Sequence, residues 1–273
     1  MDVVSSSSRK ITTILFVMQS IASAGMIAIG TLNTIVGAEL SGKPGWAGIP
    51  AAVYLVAGAL AAFLWGRLIG KIGWRIGLTT GFVFGLLGSA LVVAAIQMGS
   101  WVILMFAMVC IGVAYAAMNL SRFAAAEVTP PSSRGKAISI VVLGGTVGSI
   151  AGPLMVGPAG RMAVGFGADE LGGAYMMGAV LFSLAATVVF LSLKPDPGEI
   201  GRDIARLFPT PIVSDGERRP ITEILKQPGA MLAVLAMVFG QTVMVLLMVI
   251  TTLHMRNYQH GLGSISLVIS AHT

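Results

Sequence analysis

The chain has 273 residues and a net charge of +6, with 56% hydrophobic but only 10% charged residues. Soluble globular domains carry roughly 25% charged residues, so this deficit excludes an ordinary water-facing surface and indicates a polytopic membrane protein. A basic balance is also typical of nucleic-acid-binding proteins, but here the cations lie in short segments between apolar runs, so we expect no nucleic-acid partner.

The apolar runs are about 20 residues long, which is enough to cross a hydrocarbon core of about 30 Å. Each run predicts a helix, because in lipid the backbone must satisfy its own hydrogen bonds. The expected fold class is therefore an all-α membrane protein, a polytopic helical bundle that is truncated in its eighth span. The predicted spans are residues 12–36, 47–66, 76–96, 101–121, 137–157, 172–193 and 229–253, with an eighth beginning near residue 262 and cut off at Thr273.

The amino terminus has two interpretations. Arg9 and Lys10 followed by an apolar stretch with Ala22, Ser23 and Ala24 resemble a secretory signal with its cleavage site. The apolar stretch continues well past that site, and its removal would invert or strand the following spans. We therefore expect a retained first span, with a cleaved signal as the alternative.

The orientation in the membrane follows from the distribution of cations between the two sets of loops. Fourteen of the seventeen Lys and Arg residues fall on one side of the predicted spans, and only Lys43, Arg161 and Arg256 fall on the other. Because basic loops stay inside, we expect an integral protein of the plasma (inner) membrane with its amino terminus in the cytoplasm.

A long polar connection divides the chain. We predict an amino-terminal six-helix bundle at 1–193, a cytoplasmic linker at 194–228 and the start of a carboxy-terminal bundle at 229–273. Apolar residues recur at helical spacing within the linker, which predicts short amphipathic helices on the membrane surface. A solvated linker with accidental periodicity is the alternative.

Polar side chains within the predicted spans are the candidates for contact with a transported solute, because no charged residue lies inside a span. Amides and hydroxyls also commonly hydrogen-bond one membrane helix to another, so a structural role is the alternative for each of them. With no buried charge, a neutral or lipophilic solute is favoured. The candidate substrate-binding residues are Gln19, Tyr115, Asn119, Gln241 and Thr242.

The segment between spans two and three, GRLIGKIGWR, resembles the signature that the major facilitator superfamily carries at this place. Gly66, Lys71, Gly73 and Arg75 match, whereas Gly70 stands where the family has an aspartate. The resemblance implies two six-helix halves and a turn that latches them together on the cytoplasmic side. The missing acid puts the usual latch in doubt.

The segment after span four, EVTPPSSRGKA, resembles another loop of the same family through Glu127, Pro130, Arg134 and Gly135. We expect Glu127, close to Arg75 and Arg122, to supply the acid that is missing at Gly70. The residues assigned to the conformational gate or latch are Gly66, Gly70, Lys71, Gly73, Arg75, Arg122, Glu127 and Arg134.

Span five contains Gly148, Gly152 and Pro153, which resemble the family's antiporter motif and predict a bend with close helix packing. The glycine that should follow is displaced to Gly157. Met108 stands where many antiporters of the family have the arginine of span four. Both departures count against the antiport mechanism that the motif implies.

The resemblance implies a secondary active transporter of a small organic solute working by alternating access, with proton-coupled export as one mode. The alternatives are a non-transporting receptor or scaffold on a transporter fold, and a membrane-embedded enzyme, although we expect no enzyme. A single cysteine, three scattered histidines and the absence of a phosphate-binding loop predict no metal and no cofactor. The expected partners are the lipid bilayer and the solute with a coupling ion, and a monomer is expected.

Overall fold

The structure, a computed structural model, describes residues 2–208, 223 and 225–272, and these residues contain helices and turns but no strand. Seven of the described helices are long and apolar enough to cross a membrane. The prediction of an all-α membrane bundle is therefore confirmed. In chain order the helices are α1 (Asp2–Ser41), α2 (Ile49–Ile72), α3 (Trp74–Met98), α4 (Trp101–Glu127), α5 (Arg134–Gly165), α6 (Gly172–Ser192), α7 (Pro197–Leu207), α8 (Pro228–Asn257) and α9 (Leu262–His272).

Several helices extend beyond the apolar runs that predicted them. The run of span four ends at residue 121, but α4 continues to Glu127, and α5 extends the predicted 137–157 to Arg134–Gly165. An apolar run marks only the part of a helix that lies in hydrocarbon, whereas backbone hydrogen bonds continue into the polar headgroup region. Polar residues near the ends of the runs therefore belong to the helices themselves.

The first six helices form two groups of three with corresponding contacts. Helix α1 packs mainly against α5 and α6, and α4 packs in the same way against α2 and α3, while α3 meets α6. If α1, α2 and α3 are matched with α4, α5 and α6, each packed pair of helices corresponds to another packed pair. The bundle is therefore built as an internal repeat.

The centre of this repeat is a close α3–α6 contact. The rings of Phe82 and Phe182 are fully buried and stack with their centroids 6.4 Å apart. A Cβ on Gly85 would stand 2.8 Å from the Phe182 ring, so the absence of a side chain there allows the two helices to approach. A buried polar contact ties α6 to α1, because the Tyr175 hydroxyl donates to Asn33 Oδ1 at 2.9 Å.

Helix α7 lies in the segment predicted as a linker, where short amphipathic helices on the membrane surface were expected. Its apolar residues Ile200 and Ile204 are buried against the bundle, mainly against α4, whereas Leu207 and Phe208 are exposed. Protein rather than lipid therefore covers the inner face of α7. Of the other stretch in which an amphipathic helix was predicted, 220–227, residues 220–222 and 224 lie outside the described residues.

Two further helices follow the linker. Helix α8 is exposed along most of its length and touches the bundle mainly through α1. Helix α9 is eleven residues long and packs against α5. There the backbones come close, since a Cβ on Gly157 would stand 3.4 Å from Gly263 Cα, and the Ser270 hydroxyl donates to the Ile150 carbonyl at 3.2 Å.

Candidate functional site

A cavity of about 260 Å³ opens between α1, α4 and α5, and we call it the α1–α4–α5 cavity. It lies near the middle of α1 and within the last three turns of α4. Two residues predicted to contact a solute, Gln19 and Asn119, line it. Its other polar side chains are Ser23, Arg122, Thr146 and Ser149.

Gln19 is held in a defined orientation. The Ser121 hydroxyl on α4 lies 2.9 Å from Gln19 Oε1 and 2.7 Å from the Met118 carbonyl, so its single proton is shared between these two acceptors. The amide nitrogen then faces α5, where a Cβ on Gly145 would stand 3.5 Å from Gln19 Nε2. Because Gly145 has no side chain, the Gln19 NH₂ group is directed into the cavity as a hydrogen-bond donor.

Asn119 and Tyr115 take different positions on α4. Asn119 Nδ2 donates to the Tyr115 carbonyl at 2.9 Å, and the Asn119 side chain lines the cavity. The Tyr115 ring instead meets the Tyr54 ring edge-on, with centroids 5.7 Å apart, and packs beside Gly58 of α2. Of the two predicted residues, only Asn119 therefore joins Gln19.

Gln241 and Thr242 are not brought to the cavity. Both lie on the exposed middle of α8, and the Thr242 hydroxyl donates to the Val238 carbonyl of its own helix. Neither residue lines the α1–α4–α5 cavity. Their assignment as solute contacts stays a prediction.

Arg122 was assigned to the latch, but the structure places it in the α1–α4–α5 cavity. Its guanidinium lies 5.4 Å from the centroid of the Phe123 ring, and within the described part of the chain no carboxylate lies in ion-pair distance of it. Spacing could have shown this, because Asn119 and Arg122 are three residues apart and share one face of a helix.

The α2–α3 turn borders a second cavity, of about 510 Å³, which we call the basic-end cavity. It lies at the end of the bundle that carries the α2–α3 and α4–α5 turns and α7, here called the basic end. Helix α2 ends at Ile72 and α3 begins at Trp74, and Gly73 between them has φ +83°, a conformation that favours glycine. The predicted latch residues that line this cavity are Gly66, Gly70, Lys71, Gly73 and Glu127.

Asp196 is the residue of this cavity that the sequence analysis missed. Its carboxylate accepts the backbone N–H groups of Arg75 at 2.9 Å and Trp74 at 3.3 Å, the first two residues of α3. It also caps α7 by accepting the Gly198 N–H at 2.9 Å. The aspartate before Pro197 is a typical signal for a helix cap, but the contact with α3 spans more than 120 residues and leaves no local pattern.

Glu127 meets Trp74 rather than an arginine. The Trp74 indole N–H donates to Glu127 Oε2, and no ion pair joins Glu127 to Arg75 or Arg122 in the described ranges. The Arg75 guanidinium instead stacks on the Phe190 ring, and its Nε donates to the Phe190 carbonyl at 2.8 Å. Arg134, at the start of α5, is exposed to solvent.

The predicted helix bend lies at the crossing of α1 and α5. Gly148 and Gly152 are buried there, and a Cβ on either would overlap a carbonyl oxygen of α1, that of Ser20 or Ala24. Helix α5 continues through Pro153 to Gly165. The two glycines thus permit the closest helix contact beside the cavity.

At the end of the bundle opposite the basic end, one ion pair links α1 to α8. Arg256 Nη2 lies 3.1 Å from Glu39 Oε1, and both side chains are roughly half exposed. Within the described residues no group of three or more His, Cys, Asp or Glu side chains is placed to hold a metal ion. The polar chemistry of the site is therefore that of amides, hydroxyls and one guanidinium.

Comparison with known proteins adds independent findings. The sequence model of the Major Facilitator Superfamily matches residues 15–272. The chain is 32% identical to the uncharacterized MFS-type transporter YdeG of Bacillus subtilis (strain 168), over 94% of the chain and 59% of YdeG. It is 29% identical to the MFS-type transporter YddS of the same organism, over 97% of the chain and 61% of YddS. It is 27% identical to the riboflavin transporter RfnT of Brucella anthropi, over 97% of the chain and 63% of RfnT. The chain spans about three fifths of the length of these relatives.

Proposed function

The chain belongs to the Major Facilitator Superfamily, and on that premise we propose that the whole protein is a secondary active transporter of a small organic solute. The α1–α4–α5 cavity is the observation that carries this proposal. Alternating-access transporters bind solute near the middle of the membrane between two helical bundles. The cavity lies among three membrane-spanning helices, near the middle of α1 and within the last three turns of α4, and is lined by polar side chains, of which the Gln19 amide is the best defined.

Alternating access requires contacts that can separate at either end of the protein, and both ends offer such contacts. The Glu39–Arg256 pair joins α1 to α8 at one end. At the other end, Asp196 at the start of α7 accepts hydrogen bonds from Trp74 and Arg75 beside the basic-end cavity. We propose that the basic end faces the cytoplasm of the plasma (inner) membrane, as the cation distribution predicts, and that the linker joins two bundles in the whole protein.

Solute transport by the full-length protein in proteoliposomes tests the proposal. We expect uptake or release of at least one organic solute, and riboflavin belongs in the panel because RfnT is named a riboflavin transporter. Imposed pH gradients show whether protons drive the movement, as proton-coupled export requires. Binding of a solute without its movement would favour a receptor, and conversion of a solute would favour an enzyme.

The cavity itself is tested with a matched pair of variants. Gln19→Ala removes the donor that faces the cavity, whereas Gln97→Ala removes the same group from the exposed end of α3. Loss of one hydrogen bond to a solute corresponds to about a tenfold loss of transport efficiency, so we expect this loss for Gln19→Ala alone. Equal transport by both variants would refute the assignment of the cavity.

A further inference from the structure

We propose that the α1–α4–α5 cavity recognises an anionic group of its solute, a carboxylate or a phosphate, through the guanidinium of Arg122. This inference rests on the proposed function, because it names the solute class of the same site. An anionic solute differs from the neutral or lipophilic solute that the sequence favoured. The reason for the difference is that α4 continues past Arg122 to Glu127, so that Arg122 stays on the helix and lines the cavity together with Gln19 and Asn119.

The first step of the argument is the charge of the cavity. Arg122 is the one charged residue among the described residues that line it, and none of those residues is acidic. The Arg122 side chain is exposed, so its guanidinium is available to a bound anion. An anionic solute would pair with Arg122 while it is bound.

The second step is the geometry of the neighbouring groups. A guanidinium presents several donors in a planar fork that matches the oxygens of carboxylate and phosphate groups. The Gln19 NH₂ group points into the same cavity, because Gln19 Oε1 already accepts from Ser121. A Thr146 hydroxyl on α5 also lines it. Donors from three helices therefore converge on one small space.

The third step is the position of the cavity beside the contact of α5 with α9. Ser149 lines the cavity, and the next residue, Ile150, accepts the Ser270 hydroxyl of α9 at 3.2 Å. The cavity therefore lies one residue along α5 from the contact with α9, the helix that follows the linker. Movement of α9 against α5 would act on α5 close to the solute.

A cysteine reporter measures the local potential without knowledge of the solute. Thr146→Cys is introduced into a form of the full-length protein in which Cys110 and every other cysteine are replaced by Ala, and this form is held in nanodiscs of phosphatidylcholine. The reporter reacts either with the anionic reagent sulfonatoethyl methanethiosulfonate or with the cationic trimethylammonioethyl analogue. The measured quantity is the ratio of the two reaction rates.

Arg122→Gln is expected to lower this ratio roughly fivefold, the change for one unit charge acting at about 8 Å through water on reagents of opposite sign. Lys136→Gln removes a cation at the start of α5 that does not line the cavity, and it should change the ratio less than about twofold, because salt screens charges farther from the reporter. Arg122→Lys retains the charge and should keep most of the ratio. If it does, the loss in Arg122→Gln is due to the lost charge and not to misfolding caused by replacing Arg122. An unchanged ratio in Arg122→Gln would overturn the inference.

A second measurement identifies the source of the anion. Benzoate should protect the reporter more than the neutral benzamide at equal concentration, and only while Arg122 is present. Equal protection by the two compounds would contradict recognition of an anionic solute. A loss of the rate ratio in nanodiscs that contain phosphatidylglycerol would also contradict it, because a lipid headgroup would then occupy Arg122.

The outcomes separate this inference from the proposed function. If the protein transports a solute but the rate ratio is the same with and without Arg122, the anion site is refuted and the proposed transport function stands. An Arg122-dependent ratio without movement of any solute would leave an anion site in a protein that does not transport.

Discussion

Replacing Asp196 with alanine removes a carboxylate that accepts backbone hydrogen bonds at the start of two helices. The carboxylate caps α7 through the Gly198 N–H and satisfies two N–H groups at the start of α3. The first N–H groups of a helix have no partner within the helix. We therefore expect Asp196→Ala to release α7 from the bundle more often, without unfolding the membrane spans.

The size of the effect follows from the number and length of these bonds. Loss of a helix cap costs about 1 kcal/mol. The two bonds to α3, one at 2.9 Å and one at 3.3 Å, add about 1 kcal/mol, since Asp196 is half-buried and water can replace it in part. A total of about 2 kcal/mol corresponds to about a thirtyfold rise in the population of the detached form.

Limited proteolysis measures this population. Trypsin cleaves after Arg206 only when α7 opens, so the cleavage rate of the full-length protein, divided by that of a peptide of the same sequence, reports the opening equilibrium. We expect about a thirtyfold rise for Asp196→Ala. Asp203→Ala is the control, because Asp203 is exposed and makes only an ion pair with Arg206 at 3.6 Å, which contributes at most about 0.5 kcal/mol.

Equal cleavage rates for Asp196→Ala and the wild type would refute the reasoning. It would mean that Ile200 and Ile204 alone hold α7 in place and that the hydrogen bonds of Asp196 add nothing. A large rise for Asp203→Ala as well would show that the assay reports helix propensity rather than attachment to the bundle.

Three further predictions concern other contacts. Gly152→Leu should lower the free energy of unfolding by about 3 kcal/mol, because the new side chain overlaps the Ala24 carbonyl. This variant should lose the monodisperse peak in size-exclusion chromatography. Gly165→Leu, in open space on the same helix, should keep that peak. A double-mutant cycle of Glu39→Gln and Arg256→Gln should give a coupling of about 0.5 kcal/mol in thermal unfolding, and a value above about 2 kcal/mol would contradict an exposed pair. Trp74→Phe should lower thermal stability by about 1.5 kcal/mol, because Glu127 loses its donor; an unchanged unfolding midpoint would contradict that.

The spans were predictable from sequence because each depends on local composition alone. About 20 apolar residues, as at 76–96, commit a segment to a helix in lipid whatever its neighbours are. At the membrane surface, however, local composition predicts helix ends that are too early. It placed Arg122 outside span four, although the backbone of α4 remains helical for five more residues. The charge of the cavity was therefore missed.

The latch residues show the limit of motifs taken one at a time. Gly66, Gly70 and Glu127 were assigned together and do border one cavity. The partner of Glu127 is Trp74, however, and Arg75 bonds to the carbonyl of Phe190 on α6. Which donor reaches an acid depends on the rotation of two helices about their axes, and spacing along the chain does not determine this rotation.

The absence of an acid at Gly70 has a structural counterpart in Asp196. A Cβ at Gly70 would meet no atom within 4 Å, so the position is open. The carboxylate of Asp196 instead reaches the α2–α3 turn from the far side of the same cavity. The two arrangements are not mechanically equivalent, because Asp196 lies on the segment that leaves the bundle. Moving α7 away must either break the bonds to Trp74 and Arg75 or carry the start of α3 with it. The α2–α3 turn and the linker are therefore coupled by the two bonds to α3, about 1 kcal/mol, which lies at the lower end of the usual range of coupling between distant sites.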